Sequence, residues 1–344
     1  MNDRLLRAAR CQPTDTTPVW IMRQAGRYLP EYRAVREKVA FLELCKSPDL
    51  AAEVTVQPVR RLGVDAAIIF SDILIPVEAM GMALELGDQG PHLPAPLRSG
   101  ADVEKLAVPD PESTMGFVGE AIRRTKKTLG DSVPVIGFCG APFTLAAYMV
   151  EGGGSKSFLH VKRLLFEQPK VAHRLFEKLT DTLVPYLKMQ VAAGAKVVQI
   201  FDSWGGELSP RDFSTFTLPY VSRMVAELRP LVPVIYFGTA MSTHLPLMKK
   251  TGADVLGLDW RIEIDEARRV LGSEVAVQGN LDPMALFLPR DELETRVEDI
   301  LRRAGNVGHI FNLGHGILPP TDPDSAAALV EMVHRLGARL RKER

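Results

Sequence analysis

Arg23 and Arg27 stand four residues apart in the stretch PVWIMRQAGRYLPEYR, with Gly26 beside the second and a short apolar run, Val19 to Met22, just before the first. A guanidinium is a planar fork of donors that matches carboxylates and phosphates. Two of them at the end of a buried-looking run point to an anionic ligand. The plainer reading is that they pair with acidic neighbours such as Glu31. Further along, other polar residues also follow apolar runs: Asp72 after Ile68-Ile69-Phe70, Tyr148, Ser203, Asp259, Asn280, and His315 between Gly314 and Gly316. Together they form a polar set with cationic donors on one side and few carboxylates. Four of these have a bland alternative. Asp72, Ser203 and Asp259 could cap turns or helices through backbone N–H groups, and His315 could be a structural histidine whose flanking glycines let the chain turn sharply.

Residues so far apart meet only if the chain brings run ends to one place. Eight apolar runs recur: Val19 to Met22, Asp65 to Phe70, Val133 to Phe138, Val197 to Phe201, Val232 to Phe237, Val255 to Leu258, Val275 to Gln278 and His309 to Leu313. They lack strict alternation, as strands buried on both faces do. Helical patterns lie between them. Pro48 to Leu62 has Ser47 as a cap and Gly63 as a stop. Others span Gln168 to Ala193, Asp212 to Leu228, Glu263 to Leu271, Asp291 to Ala304 and Asp324 to Lys342, the last with Thr321 and Asp324 in capping-box spacing. This alternation predicts one domain, residues 1–344: an α/β (β/α)₈ barrel of the TIM type, whose active site lies at the carboxyl ends of the strands. A doubly wound open sheet is the alternative, weakened by the absence of a G-x-G-x-x-G turn after any run. Residues Ala79 to Asp110 do not fit the repeat and read as an insertion after the second strand, with a hairpin suggested by Ala83 to Leu86 followed by Gly87-Asp88.

Composition narrows the chemistry. Of 344 residues, 46% are hydrophobic and 24% charged, with a formal net charge of +0. That balance argues against a nucleic-acid partner, and no apolar run approaches the roughly 20 residues of a membrane span. Cys11, Cys45 and Cys139 are odd in number and far apart, which suits a reducing, cytoplasmic setting. Arg4, Arg7 and Arg10 faintly suggest a targeting segment, but Asp3 interrupts them, and the stretch reads as a short helix. No H-E-x-x-H, C-x-x-C or carboxylate cluster supports a metal. Glu151 to Ser157 departs from the phosphate-loop pattern, since Ser155 precedes the lysine, and reads as a flexible rim loop. Ser203 lacks a nucleophile elbow.

Arg23-Gln24-Ala25-Gly26-Arg27-Tyr28 and Gly137-Phe138-Cys139-Gly140-Ala141-Pro142-Phe143-Thr144, with Tyr148 to Gly152, resemble the uroporphyrinogen decarboxylase family. Phe70 to Leu74, Phe201 to Gly206 and Asn312 to Gly316 match in the same order, so the resemblance spans nearly the whole chain. It implies a (β/α)₈ barrel, a homodimer, and removal of the four acetate carboxyls of uroporphyrinogen to give coproporphyrinogen without metal or organic cofactor. It further implies that Asp72 and Arg23 are catalytic, and that Arg23, Gln24, Ala25, Gly26, Arg27, Asp72, Tyr148, Ser203 and His315 bind substrate. Two competing readings are a cobamide-dependent methyltransferase of the same superfamily, which needs a zinc site that this sequence lacks, and a non-catalytic tetrapyrrole carrier.

Overall fold

A computed structural model describes residues 2–87, 90–130 and 132–343. Seven parallel strands form the sheet: β1 (Ala67–Ile68), β4 (Val135–Gly140), β5 (Val197–Asp202), β6 (Val234–Gly238), β7 (Val255–Gly257), β8 (Ala276–Leu281) and β9 (His309–Leu313), paired in that order. β2 (Glu85–Gly87) and β3 (Gly90–His92) form a separate antiparallel pair. The residues of β4, β6, β7, β8 and β9 are buried throughout, which is why these runs show no alternation.

The eighth place in the ring is filled differently from the expected strand. Val19 to Met22 forms a single parallel bridge, Val19 to Phe311, and no ladder. Phe311 N–H donates to Pro18 O at 2.8 Å on one side, and Asp65 N–H to Val19 O at 2.8 Å on the other. Beyond these and a longer bond from Trp20 N–H to Phe311 O at 3.4 Å, side chains replace the ladder. Asp65 Oδ2 accepts from Val19 N–H at 2.8 Å, Asn312 Oδ1 from Met22 N–H at 3.0 Å, and Gln24 Oε1 from Ile21 N–H at 3.1 Å. Gln24 Nε2 then donates to Ala66 O at 3.0 Å, spanning the gap to β1. The chain cannot continue as a strand because Arg23 turns into the left-handed region at φ +64°. For a residue with a β-carbon that conformation costs roughly 1–2 kcal/mol.

Helices surround the sheet. Pro48–Leu62 starts on Ser47, whose hydroxyl accepts from Leu50 N–H, and stops at Gly63 with φ +73°, as its sequence predicts. Three features differ from expectation. The expected helix Asp212 to Leu228 is two, Pro210–Phe216 and Leu218–Leu228; Pro219 has no N–H to donate back across the junction and its ring would clash with the preceding turn. The last helix, Pro323–Lys342, is capped by Asp322, which accepts from Asp324 N–H at 3.0 Å, and not by Thr321. Pro111–Leu129 is a helix that the sequence reading passed over. Its Gly119 permits close packing on the helix Pro169–Ala193, since a β-carbon there would lie 2.7 Å from Met189 Sδ.

The insertion holds the hairpin β2–β3, as expected; the expected turn falls partly on Asp88, outside the described residues. Its helix Gly100–Lys105 ends against Lys178, whose ammonium donates to the carbonyls of Val103, Glu104 and Leu106 at 3.0, 2.8 and 3.1 Å. The glycine-rich loop is not free: Leu93 N–H donates to Gly152 O at 2.9 Å, and His92 bridges Gly153. Among the described residues no helix is long and apolar enough to cross a membrane.

Candidate active site

Ladder geometry sends every strand's carboxyl end to one mouth, and there a cavity of about 390 Å³ opens. Arg23, Ala25, Gly26, Arg27, Asp72, Tyr148, Ser203 and His315 all line it, drawn from the whole length of the chain. The volume falls in the range of small-molecule sites. A groove of about 1610 Å³ between the helices Pro30–Arg36, Pro48–Leu62 and Pro111–Leu129 shares no residue with it. That groove is open surface. Its Arg124 is paired with Asp49 and Glu120 and its Arg61 with Asp324.

The arginines are not the neighbour-paired residues of the plainer reading. Both are exposed, and among the described residues no carboxylate lies within salt-bridge distance of either. Arg23's stem lies across Gly316, where a β-carbon would come 2.3 Å from its Cδ and 2.8 Å from its Nε. Gly314 likewise abuts Asp259 and Trp260, with a β-carbon 2.6 Å from Trp260 N. Neither glycine has a positive φ. The chain does bend at Gly314 and His315, and the two glycines also let neighbours approach.

Asp72 both caps a turn and lines the cavity. Oδ1 accepts from Leu74 N–H at 2.8 Å, capping the turn, while Oδ2 accepts from no group among the described residues. Burial among Phe70, Phe138 and Phe201 pushes its carboxyl above the usual range; the Leu74 N–H and the Arg23 charge pull the other way. His315 is held down to about 4 by burial, with Arg23 adding to the effect, so at neutral pH it is an uncharged imidazole. Burial also raises the Tyr148 phenol, helped by Asp72, and keeps it a donor.

Three expected polar residues do not reach the cavity. Gln24 is fully buried with both ends of its amide committed to the ring seam, so it holds the arginines' segment without facing a ligand. Asp259 accepts from Ala240 N–H at 2.7 Å and from Arg261, which stacks on Trp260. Asn280 donates to Asp259 O and Ile262 O. His309 is buried at the far end, its Nε2 2.9 Å from Gly279 O. Conversely, Phe138 and Phe201, edge to face at 5.5 Å, and Pro91 of the hairpin line the cavity without having been singled out. The two phenylalanines sit one or two residues before the strand ends and were legible by position; Pro91 carried no signal. Among the described residues no group of three or more His, Cys, Asp or Glu is placed to hold a metal ion.

Known proteins are similar to this chain along nearly its whole length. The family model described as Uroporphyrinogen decarboxylase (URO-D) matches residues 1–336. A curated protein named uroporphyrinogen decarboxylase from Myxococcus xanthus is 75% identical over 343 residues, 99% of this chain and 99% of its own. One of the same name from Trichlorobacter lovleyi is 54% identical over 341 residues, 98% of this chain and 100% of its own. Among solved structures, a methyltransferase from Methanosarcina mazei superposes with a TM-score of 0.81 at 21% identity, covering 97% of this chain and 98% of its own. At that identity the likeness concerns the barrel fold alone.

Proposed function

This chain belongs to the uroporphyrinogen decarboxylase family, and on that premise we propose how its mouth divides the work. The protein is a carboxy-lyase of porphyrin biosynthesis that removes CO₂ from the four acetate side chains of uroporphyrinogen III to give coproporphyrinogen III. The substrate carries eight carboxylates around a flexible ring with four pyrrole N–H donors at its centre. A site for it needs an acceptor in the middle and donors around the edge.

The observation that carries the assignment is an unpaired acceptor facing unpaired cations. Asp72 keeps Oδ2 without a protein donor, and Arg23 and Arg27 have no carboxylate partner among the described residues. Asp72 accepts the converging pyrrole N–H groups. Arg23 and Arg27 grip peripheral carboxylates through bidentate contacts. Tyr148, Ser203 and neutral His315 add hydrogen bonds around the rim, and the backbone of Ala25 and Gly26 forms the adjoining wall.

Losing CO₂ from a pyrrole acetate requires a place for the electron pair. A proton added to the ring carbon between the pyrrole nitrogen and the carbon that bears the acetate turns the pyrrole into that sink. The bond between methylene and carboxylate then breaks and CO₂ departs. The exocyclic methylene takes a proton to become methyl as the ring carbon gives one up, so each turn consumes one proton net. Asp72, ionised, stabilises the cationic ring at the step where charge develops. Arg23 stays protonated and positions the reacting carboxylate. We read residues 1–344 as one catalytic unit acting as a cytoplasmic homodimer. Exposed Trp260, Met284 and Phe287, which follow adjacent strands β7 and β8, supply apolar surface for the partner.

The test is anaerobic incubation with uroporphyrinogen, reading CO₂ release and coproporphyrinogen formation for parent and Asp72→Asn. A preorganised charge of this kind is worth about 10²–10³ in rate, so the variant should lose that much kcat. Near-parent turnover would remove Asp72 from its role, and binding without CO₂ release by the parent would mark a carrier. Sedimentation equilibrium tests the dimer.

A further inference from the structure

Behind the cavity, and lining no part of it, lies a second carboxylate that the mechanism leaves unused. Asp202 ends β5, is 0% exposed, and among the described residues has no cation within salt-bridge distance. A buried carboxylate without a cation is costly unless hydrogen bonds satisfy it. Here two hydroxyls do so. Thr144 Oγ1–H donates to Oδ1 at 2.7 Å, and the Tyr236 phenol, from β6, to Oδ2 at 2.7 Å. Thr144 Oγ1 in turn accepts from Trp204 N–H at 3.1 Å. The chain after Ser203 folds tightly back, since a β-carbon at Gly205 would stand 2.9 Å from Asp202 Oδ2.

These bonds tie down two of the mouth's donors at once. Thr144 lies in the first turn of the helix Pro142–Glu151, and Tyr148, four residues on, shares its face. Fixing Thr144 therefore fixes the rotation that aims the phenol. Ser203 sits between Asp202 and Trp204, both anchored by this network. Trp204 closes the circuit by packing against Tyr148 with ring centroids 5.9 Å apart.

We infer that Asp202 is a positioning residue for substrate binding: through Thr144 its carboxylate holds the Tyr148 helix and the Ser203 turn in the one arrangement that presents both donors to the same ligand. The inference rests on the carboxylate-binding role given to Tyr148 and Ser203 above. Burial pushes the Asp202 carboxyl up to about 6, against the pull of Thr144 and Tyr236. Tyr236, whose own phenol is pushed far up, is the titratable group that faces it, and no charged side chain does so among the described residues. Above that pH the carboxylate accepts both hydroxyls; below it, the added proton removes the charge that strengthens both contacts and makes one oxygen a donor, so the hydroxyl facing it must turn to accept.

The experiment measures KM and kcat for uroporphyrinogen across pH in full-length Thr144→Val, Thr144→Ser, Asp202→Asn, Tyr148→Phe and Ser203→Ala. Loss of one such hydrogen bond is worth about tenfold. Thr144→Val should raise KM by about that factor with kcat little changed, and Thr144→Ser, which keeps the hydroxyl, should restore the parent value. The parent's KM should rise on the acid side with a midpoint near 6, and Asp202→Asn should lack that limb. Thr144→Val and Tyr148→Phe should combine less than additively, because one acts through the other. If Tyr148→Phe and Ser203→Ala raise KM while both Thr144 variants leave it at the parent value, this inference is overturned and the site assignment stands. If Tyr148→Phe and Ser203→Ala themselves leave KM unchanged, the assignment fails and the inference with it. Should Asp202→Asn not fold, the Thr144 pair decides alone.

Discussion

Arg23 and Gly316 are in contact, the stem of the arginine crossing the glycine so closely that a β-carbon there would sit 2.3 Å from Cδ and 2.7 Å from Cγ. These are atoms in the middle of the side chain, so they cannot swing clear while the guanidinium stays in place. The pair joins the first segment of the barrel to the turn after its last strand.

Gly316→Ala should therefore behave as an arginine variant. The strain falls on an exposed side chain, so overpacking should cost at most about 1–3 kcal/mol. KM should rise by about tenfold or more as Arg23 leaves its position. Steady-state kinetics with thermal melts check both, and an unchanged KM would show that Arg23 is not held there for the substrate.

Arg27→Gln should raise KM by about 10- to 100-fold, the worth of a charge-assisted bidentate contact, and leave kcat within about threefold. Because both arginines are exposed at the rim, the parent's KM should also climb with ionic strength, and less steeply in the variant. A salt titration at fixed pH distinguishes this from a structural effect.

Gln24→Leu should do the opposite. It strands Ile21 N–H and Ala66 O, which the Gln24 amide now satisfies; at about 1–3 kcal/mol for each orphaned group, stability should fall by roughly 2–6 kcal/mol. KM of the folded protein should stay within about threefold. Urea denaturation beside kinetics tests the division, and a large KM change at parent stability would return Gln24 to the substrate.

How much of this was legible depended on range. The helix Pro48–Leu62 was readable because Ser47, Pro48 and Gly63 encode its ends locally. Asp72, Ser203 and His315 stood out because polar residues ending apolar runs are rare enough to notice. The seam contacts of the Gln24 side chain were not legible, since its partner Ala66 is distant in sequence and an amide beside two arginines looks like part of their chemistry. The contact of Gly316 with Arg23 was not legible because the arginine comes from the other end of the sequence. Pro111–Leu129 escaped because Gly116 and Gly119 weaken its helical signal, although Gly119 is there to admit Met189.

His315 and acid stability give a fourth prediction. Burial holds the imidazole down to about 4, against an unfolded value near 6.5. Between those values the unfolded chain binds the proton and the folded one does not, so stability rises with pH through that window. It is complete above about 6.5 and is lost as pH falls toward 4. His309, held at about 3, adds to the slope. Urea midpoints between pH 7 and 4 should fall less steeply in His315→Asn than in the parent, and parallel curves would contradict the neutral, buried imidazole.

The ring joint at Val19 to Ile21 has a further consequence. Ladder bonds elsewhere reinforce one another along a strand, but here individual side chains from Asp65, Asn312 and Gln24 each hold a single amide. Such a joint can open by itself, without the cooperative loss of the sheet. Native-state hydrogen exchange should then find the amides of Val19, Ile21 and Met22 exchanging through a partial opening, at a lower free energy than those of β5 or β8. Since Arg23 and Arg27 ride on that segment, mild denaturant should abolish catalysis while the circular-dichroism signal of the barrel persists.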